Sequence, residues 1–328
     1  MIELVDVTKV YGSTVAVSRL SATIRPGVVT GFLGPNGAGK STTMRLIVGL
    51  DHPSGGYALV NGHPMVTSRS PMCEIGAVLD AKSAQPNRTA RQHLQIIAAT
   101  HGIPASRVEE LLALTGLAGV AATRIRAFSL GMSQRLAIAA ALLGDPGVLI
   151  FDEPINGLDP EGVAWVRSLL RQQASVGKTV FVSSHLMSEM EHTADHLIIV
   201  GRGQLLADVS MADFIAGASG IASRVTSPDA QAIATAFAGP AVQVASLGPG
   251  TIELRGVSVR QIAEKAAGAG WVIYQLNPVE VSLEDAYLRL TAGAVDFVSG
   301  RVAAPFPYAV PPGPPPGPYA APTGGGRP

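Results

Sequence analysis

The chain has 328 residues, is 47% hydrophobic and 15% charged, and balances 24 Lys+Arg against 24 Asp+Glu. That length accommodates one large domain and a smaller one with a sizeable buried core, and the balanced charge excludes a global field aimed at nucleic acid or anionic lipid. The single cysteine, Cys73, excludes an intramolecular disulfide and a cysteine-built metal site, fits a reducing cytoplasm, and is expected to be a small core residue near a strand start.

In chain order, Glu3 and Asp6 interrupt the N-terminal segment where a secretory signal would run apolar, so the protein is expected to stay inside the cell. The most apolar stretches, 136–144 and 196–201, fall short of the roughly 20 residues that cross a bilayer. From residue 1 to about 203, short β-branched runs alternate with helical patterns: 28–34 with a helix from Lys40, 74–80 with 89–102, 148–153 with 160–174, and 179–184 with 187–194. This alternation predicts a parallel sheet wrapped by helices, an α/β core. Between Asp80 and Leu143 only helical patterns remain, including 106–117 and 132–143, which predicts a helical subdomain of about 81–143.

The first domain is expected over 1–209 and an accessory α+β domain over 210–302. Within the second, a strand at 222–227, a helix at 229–239, a hairpin of 241–246 and 251–256, a helix at 259–270 and a strand at 271–276 give the βαββαβ order of a ferredoxin-like unit. A closing helix follows at 282–293, with Ser282 as N-cap and Gly293 near its stop. From about 303 to 328, Pro, Gly and Ala dominate, and the tail is expected to be disordered.

GPNGAGKST (34–42) fits a phosphate loop, with Gly34, Gly39, Lys40 and Ser41 at its defining positions, after a strand and before a helix. Pro35, Asn36, Gly37 and Ala38 complete the loop, whose backbone N–H groups face the phosphates while the following helix points its positive end at them. Lys40 is expected to contact the β- and γ-phosphates, Ser41 to ligate Mg2+, and Thr42 to add a phosphate contact. A second strand, VLIFDEP (148–154), ends in two carboxylates. Asp152 is expected in the Mg2+ shell, and Glu153 is expected to polarise the attacking water. These two motifs specify ATP or GTP and leave the protein class open.

FSLGMSQRLAIAAALL (128–143) narrows the class, because it resembles the signature segment of the ABC ATPase family. Ser129 and Gly131 hold the two positions that present a hydroxyl and a bare backbone at a helix N-terminus. INGLDP resembles the family's D-loop with Asp159, His185 stands where the family has its switch histidine, and Tyr11 stands where it stacks an aromatic ring on adenine. His52, His63, His93, His101, His192 and His196 read as structural. Where the family carries a glutamine after the fifth strand, this chain offers Asp80, with Gln85 five residues on; Asp80 is taken as the sensor, with a contact to metal or water.

The resemblance covers about 1–205 and implies a phosphate-loop (RecA-like) core that hydrolyses ATP with Mg2+. It also implies a head-to-tail homodimer with each ATP between the phosphate loop of one chain and Ser129/Gly131 of the other. The variant signature, FDEPINGLDPEG and LEDAYLRLT resemble drug-resistance exporters of the bacitracin and daunorubicin type. This resemblance implies a separate multi-spanning permease, docked near 88–94, that holds the chain on the inner face of the cell membrane. A clamp acting on ribosomes or DNA is the competing class; its twin ATPase halves, long coiled coil or zinc-binding cysteines are not visible, and neutral charge disfavours nucleic acid.

Overall fold

The computed structural model describes residues 1–80, 83–218, 222–239, 242–279 and 283–291. In chain order it runs β1 (Ile2–Tyr11), β2 (Thr14–Ile24), β3 (Val29–Leu33), α1 (Lys40–Ile47), β4 (Gly55–Val60), α2 (Pro71–Glu74) and β5 (Ile75–Val78). Three helices follow, α3 (Ala90–Thr100), α4 (Ala105–Leu114) and α5 (Leu130–Ala141), before β6 (Val148–Phe151), α6 (Pro160–Ser175), β7 (Thr179–Ser184), α7 (Met187–Glu191), β8 (His196–Gly201) and β9 (Gln204–Ser210). The remainder is α8 (Met211–Ala218), β10 (Ala222–Thr226), α9 (Ala230–Phe237), β11 (Gln243–Gly248), β12 (Thr251–Arg255), α10 (Val259–Ala269), β13 (Gln275–Pro278) and α11 (Leu283–Thr291).

The central sheet has the order β5-β6-β7-β3-β8-β9, parallel except for β9, which returns antiparallel to β8. Every residue of β3, β6 and β7 is buried. Strands covered on both faces read as continuous apolar runs, which is why these were legible. Alternate side chains feed different cores: Leu149 and Phe151 of β6 join the helical side, whereas Val148 and Ile150 join Phe32 and Phe181, whose ring centroids lie 4.9 Å apart.

Three of the four strands in the first 60 residues depart from a purely parallel reading. β2, β1 and β4 form a separate antiparallel layer. Ile2, Leu4 and Val7 of β1 and Val17, Leu20, Ala22 and Ile24 of β2 are buried among more exposed neighbours, the alternation of a sheet with one covered face. Between β5 and β6 the described residues form no strand, and α3, α4 and α5 pack through Leu94, Ala98, Val108, Leu111, Leu112, Leu136 and Ala139. Thr89 and Gln92 close a reciprocal capping box at the start of α3.

The accessory sheet is antiparallel in the order β11-β12-β10-β13, the strand arrangement of a ferredoxin-like unit. Ile233 of α9 and Ile262 of α10 cover Val225, Ile252 and Leu254. Its last strand begins at Gln275, four residues later than the expected 271. Gly270 ends α10 in the left-handed region at φ 70°, Trp271 N–H then donates to Ala266 O, and Trp271 and Ile273 pack on the small core before pairing begins.

Two further findings alter the expected arrangement. Cys73, expected in the core near a strand start, is exposed: it lies on the short α2, two residues before β5 begins. Helix α11 leaves the accessory sheet and packs on α7 and α8, where Leu283, Ala286 and Tyr287 share a core with Met187, Met190 and Phe214. Ser282, Gly293 and the 303–328 tail lie outside the described residues.

Candidate active site

Parallel strands place the residues at their carboxyl ends along one sheet edge. β5 leads to Asp80, β6 to Asp152 and Glu153, β7 to His185 and β3 to the loop 34–39. Register ties the first two ends together: Val78 pairs with Phe151, and Asp152 N–H donates to Val78 O at 2.8 Å.

The loop is shaped by glycine. Gly39 has φ +96°, and a Cβ there would sit 2.4 Å from Ala16 O; a Cβ on Gly34 would sit 2.6 Å from Val200 O. Asn36 and Gly37 are exposed, Pro35 is half-buried, and Ala38 is buried with its N–H donated to Pro35 O. Helix α1 starts directly after, without a capping side chain or an acidic residue in its first turn, so no side chain of its own first turn satisfies the leading N–H groups. Ser41 is exposed at this end and Thr42 half-buried beside it.

Lys40 is 6% exposed and donates from Nζ to Gly34 O at 2.7 Å and to Pro35 O at 3.3 Å. Glu153 Oε1 is 3.8 Å away. Burial holds the ammonium below the ordinary lysine range, partly opposed by the negative Glu153 and Asp152. A buried cation bonded to two neutral carbonyls, at the mouth of an uncapped helix, fits an anionic phosphate ligand.

The two carboxylates are fixed from the next strand. Ser183 Oγ donates to Asp152 Oδ1 and accepts the Glu153 N–H at 2.9 Å. Glu153 itself has φ +49°, rare outside glycine. Its Oε2 lies 3.0 Å from His185 Nδ1 and accepts from Asn156 Nδ2. Lys40, Asp152, Glu153 and His185 are therefore linked in one network.

Sequence reading missed Ser183 and Asn156. A serine next to the end of β7, two residues before His185, was the available signal for the first; the second had none beyond lying three residues from Glu153.

The remaining candidates occupy other elements. Ser129 is exposed as N-cap of α5, accepting Met132 N–H at 3.2 Å. A Cβ on Gly131 would lie 3.3 Å from Leu158 Cδ2, so this helix end rests on the segment after Glu153. Among the described residues, no hydrogen bond or ion pair joins Ser129 or Gly131 to Lys40, Asp152 or Glu153. Asp159 is the N-cap of α6, accepting Gly162 N–H at 3.0 Å. Tyr11, at the β1–β2 turn, is 46% exposed and donates to Asp51 Oδ2 at 2.9 Å, with Lys9 Nζ 4.8 Å from its ring centre. Asp80 and Gln85 are both exposed, one just past β5 and the other near α3.

Comparison with known proteins gives these elements relatives. The ABC transporter family pattern matches residues 17–156, and a domain of unknown function (DUF8746) matches 222–284. A bacitracin transport ATP-binding protein of Bacillus licheniformis is 40% identical over 212 residues, covering 64% of this chain and 69% of its own. Its namesake in Enterococcus faecalis is 32% identical over 308 residues, covering 89% and 97%. The dimeric structure of a bacterial ABC transporter cassette superposes with a TM-score of 0.59 at 25% identity, covering 64% of this chain and 99% of that one.

Proposed function

This chain belongs to the ATP-binding proteins of ABC transporters, a family of ATPases, and on that premise we propose that two copies hydrolyse ATP in a head-to-tail dimer to drive export through a separate membrane subunit. The carrying observation is the exposed N-terminus of α5, where Ser129 and Gly131 stand apart from the network of Lys40, Asp152, Glu153 and His185. A second chain brings its own Ser129 and Gly131 to the γ-phosphate, and both halves of each site come from one sequence.

The backbone of Gly34 to Gly39 and the first N–H groups of α1 receive the phosphates, with Lys40 between the β- and γ-phosphates and Thr42 beside them. Ser41 and Asp152 would hold Mg2+, with Asp80 contacting the metal or a water; a hydroxyl, carboxylates and phosphate oxygens are the hard donors that ion takes. When bound, Mg2+ neutralises charge on the β- and γ-phosphates. Glu153 orients the attacking water and accepts its proton, giving ADP and phosphate. His185 and Asn156 hold the Glu153 carboxylate. Asp159 sets the start of α6 at the dimer seam, and Tyr11 supports the adenine.

The bacitracin transport relatives favour a drug, lipid or other small molecule as cargo. Among the described residues no helix is long and apolar enough to cross a membrane, so the pathway is assigned to a permease and the chain to its inner face. Residues 1–209 form the ATPase domain in this reading, with 81–143 as its helical subdomain and 210–302 as the accessory domain.

Mixing inactive chains tests the shared sites. Lys40→Met and Ser129→Arg each abolish activity, and an equal mixture regains about a quarter of the wild-type rate, because half of the dimers have one intact site. A mixture as inactive as its components contradicts the arrangement.

A further inference from the structure

Ser183 is fully buried on β7, between β6 and β3. Its hydroxyl donates to the side chain of Asp152, 31 residues away, and accepts from the backbone of Glu153, 30 residues away. A serine has one O–H donor and two acceptor lone pairs, so its only proton is committed to Asp152. Neither partner lies on its own strand, and the bonds serve no helix cap or turn. They join the two consecutive acids on which metal binding and water activation depend.

We propose that Ser183 is a positioning residue that sets both acids from a single point: it fixes the Asp152 carboxylate for the cation and holds the Glu153 peptide in its left-handed conformation. The inference rests on the roles given above to Asp152 and Glu153. With Oδ1 taken by Ser183, the carboxylate loses rotational freedom while its remaining lone pairs stay available for Mg2+. At Glu153, φ +49° is unfavourable for a side chain with a Cβ, and the N–H···Oγ bond opposes relaxation of that peptide. A swing of the peptide would move the glutamate away from His185 and Asn156, so one hydroxyl governs the metal and the water together.

The test is made on the full-length protein with Ser183→Ala, Ser183→Cys and Ser183→Thr. Ser183→Ala and Ser183→Cys are expected to lower kcat by about 10- to 100-fold. They also raise the Mg2+ concentration for half-maximal activity. The melting-temperature shift given by ATP in EDTA stays as in the wild type, since the phosphate loop is untouched. Ser183→Thr, which keeps a hydroxyl on the same carbon, recovers both kcat and the Mg2+ requirement.

The inference is overturned by Ser183→Ala with unchanged kcat and Mg2+ requirement. It is equally overturned if metal-free ATP binding falls in step with activity, the mark of general loosening, or if a Thr variant that melts with the wild type is as impaired as Ala. Glu153→Gln run alongside keeps the two ideas apart. An active Glu153→Gln refutes the assigned base, whereas an inactive one beside a normal Ser183→Ala refutes the Ser183 inference alone.

Discussion

His185 Nδ1 lies 3.0 Å from the same Glu153 oxygen that accepts from Asn156. With its proton on Nδ1 the imidazole donates to the carboxylate, and Lys40 at 3.8 Å adds a positive charge near the other oxygen. Removing the imidazole frees Glu153 without touching the phosphate loop. His185→Ala is therefore expected to reduce kcat by about 100-fold with little change in the KM for ATP. Steady-state ATPase kinetics check the split, and an equal loss in ATP affinity would place His185 in nucleotide binding instead.

Gly39 is the loop residue least able to accept a side chain. A Cβ there meets a backbone oxygen at 2.4 Å in a left-handed conformation, and neither side of that contact yields easily. Gly39→Ala is expected to cost on the order of 2 kcal/mol of stability and to abolish the ATP-induced rise in melting temperature. Urea denaturation measures the first and a thermal shift assay the second; an Ala variant that binds ATP normally would mean the loop is more plastic than its contacts indicate.

Asp80 and Gln85 compete for one role. Asp80 follows the strand that pairs with the Asp152 strand, whereas Gln85 sits seven residues beyond Val78. Asp80→Ala is expected to lower ATPase activity about tenfold and to blunt its stimulation by the permease, while Gln85→Ala stays within about twofold of wild type. The opposite ranking assigns the sensor to Gln85.

Tyr287 gives α11 a measurable signature. It is buried against the ATPase core, its hydroxyl has no hydrogen-bond partner among the described residues, and burial pushes its pKa up to about 12. Because the folded value exceeds the unfolded value near 10, its contribution is intact below pH 10 and is lost as pH rises toward about 12. Tyr287→Phe is expected to keep neutral-pH stability and remove part of this alkaline sensitivity, whereas Tyr287→Ala costs about 3 kcal/mol. Chemical denaturation at pH 7 and pH 11 reads both, and a neutral Ala variant would detach α11 from the core.

Much of this was legible because local patterns and global packing agree. The buried runs of β3, β6 and β7 read as strands, and the segments that follow them carried Lys40, Asp152, Glu153 and His185. The βαββαβ order of the accessory unit could be read from periodicity and turns. Other features were decided by contacts far apart in sequence. The Ser183 bonds span 30 and 31 residues, and nothing local marks α11 as a helix that abandons its own sheet for Met187 and Met190. Trp271 and Ile273 are strand-forming residue types, but here they follow the end of α10 and cover the small core. Cys73 was expected in the core, but it lies exposed on the four-residue helix that precedes β5.

The central claim is that Glu153 consumes the ATP that holds two chains together. Light scattering on Glu153→Gln, with and without ATP and Mg2+, tests it most directly. The account predicts negligible hydrolysis and an ATP-dependent rise from 33.7 kDa to about twice that mass. A Glu153→Gln protein that hydrolyses ATP at the wild-type rate and keeps the mass of a single chain in saturating ATP would contradict it.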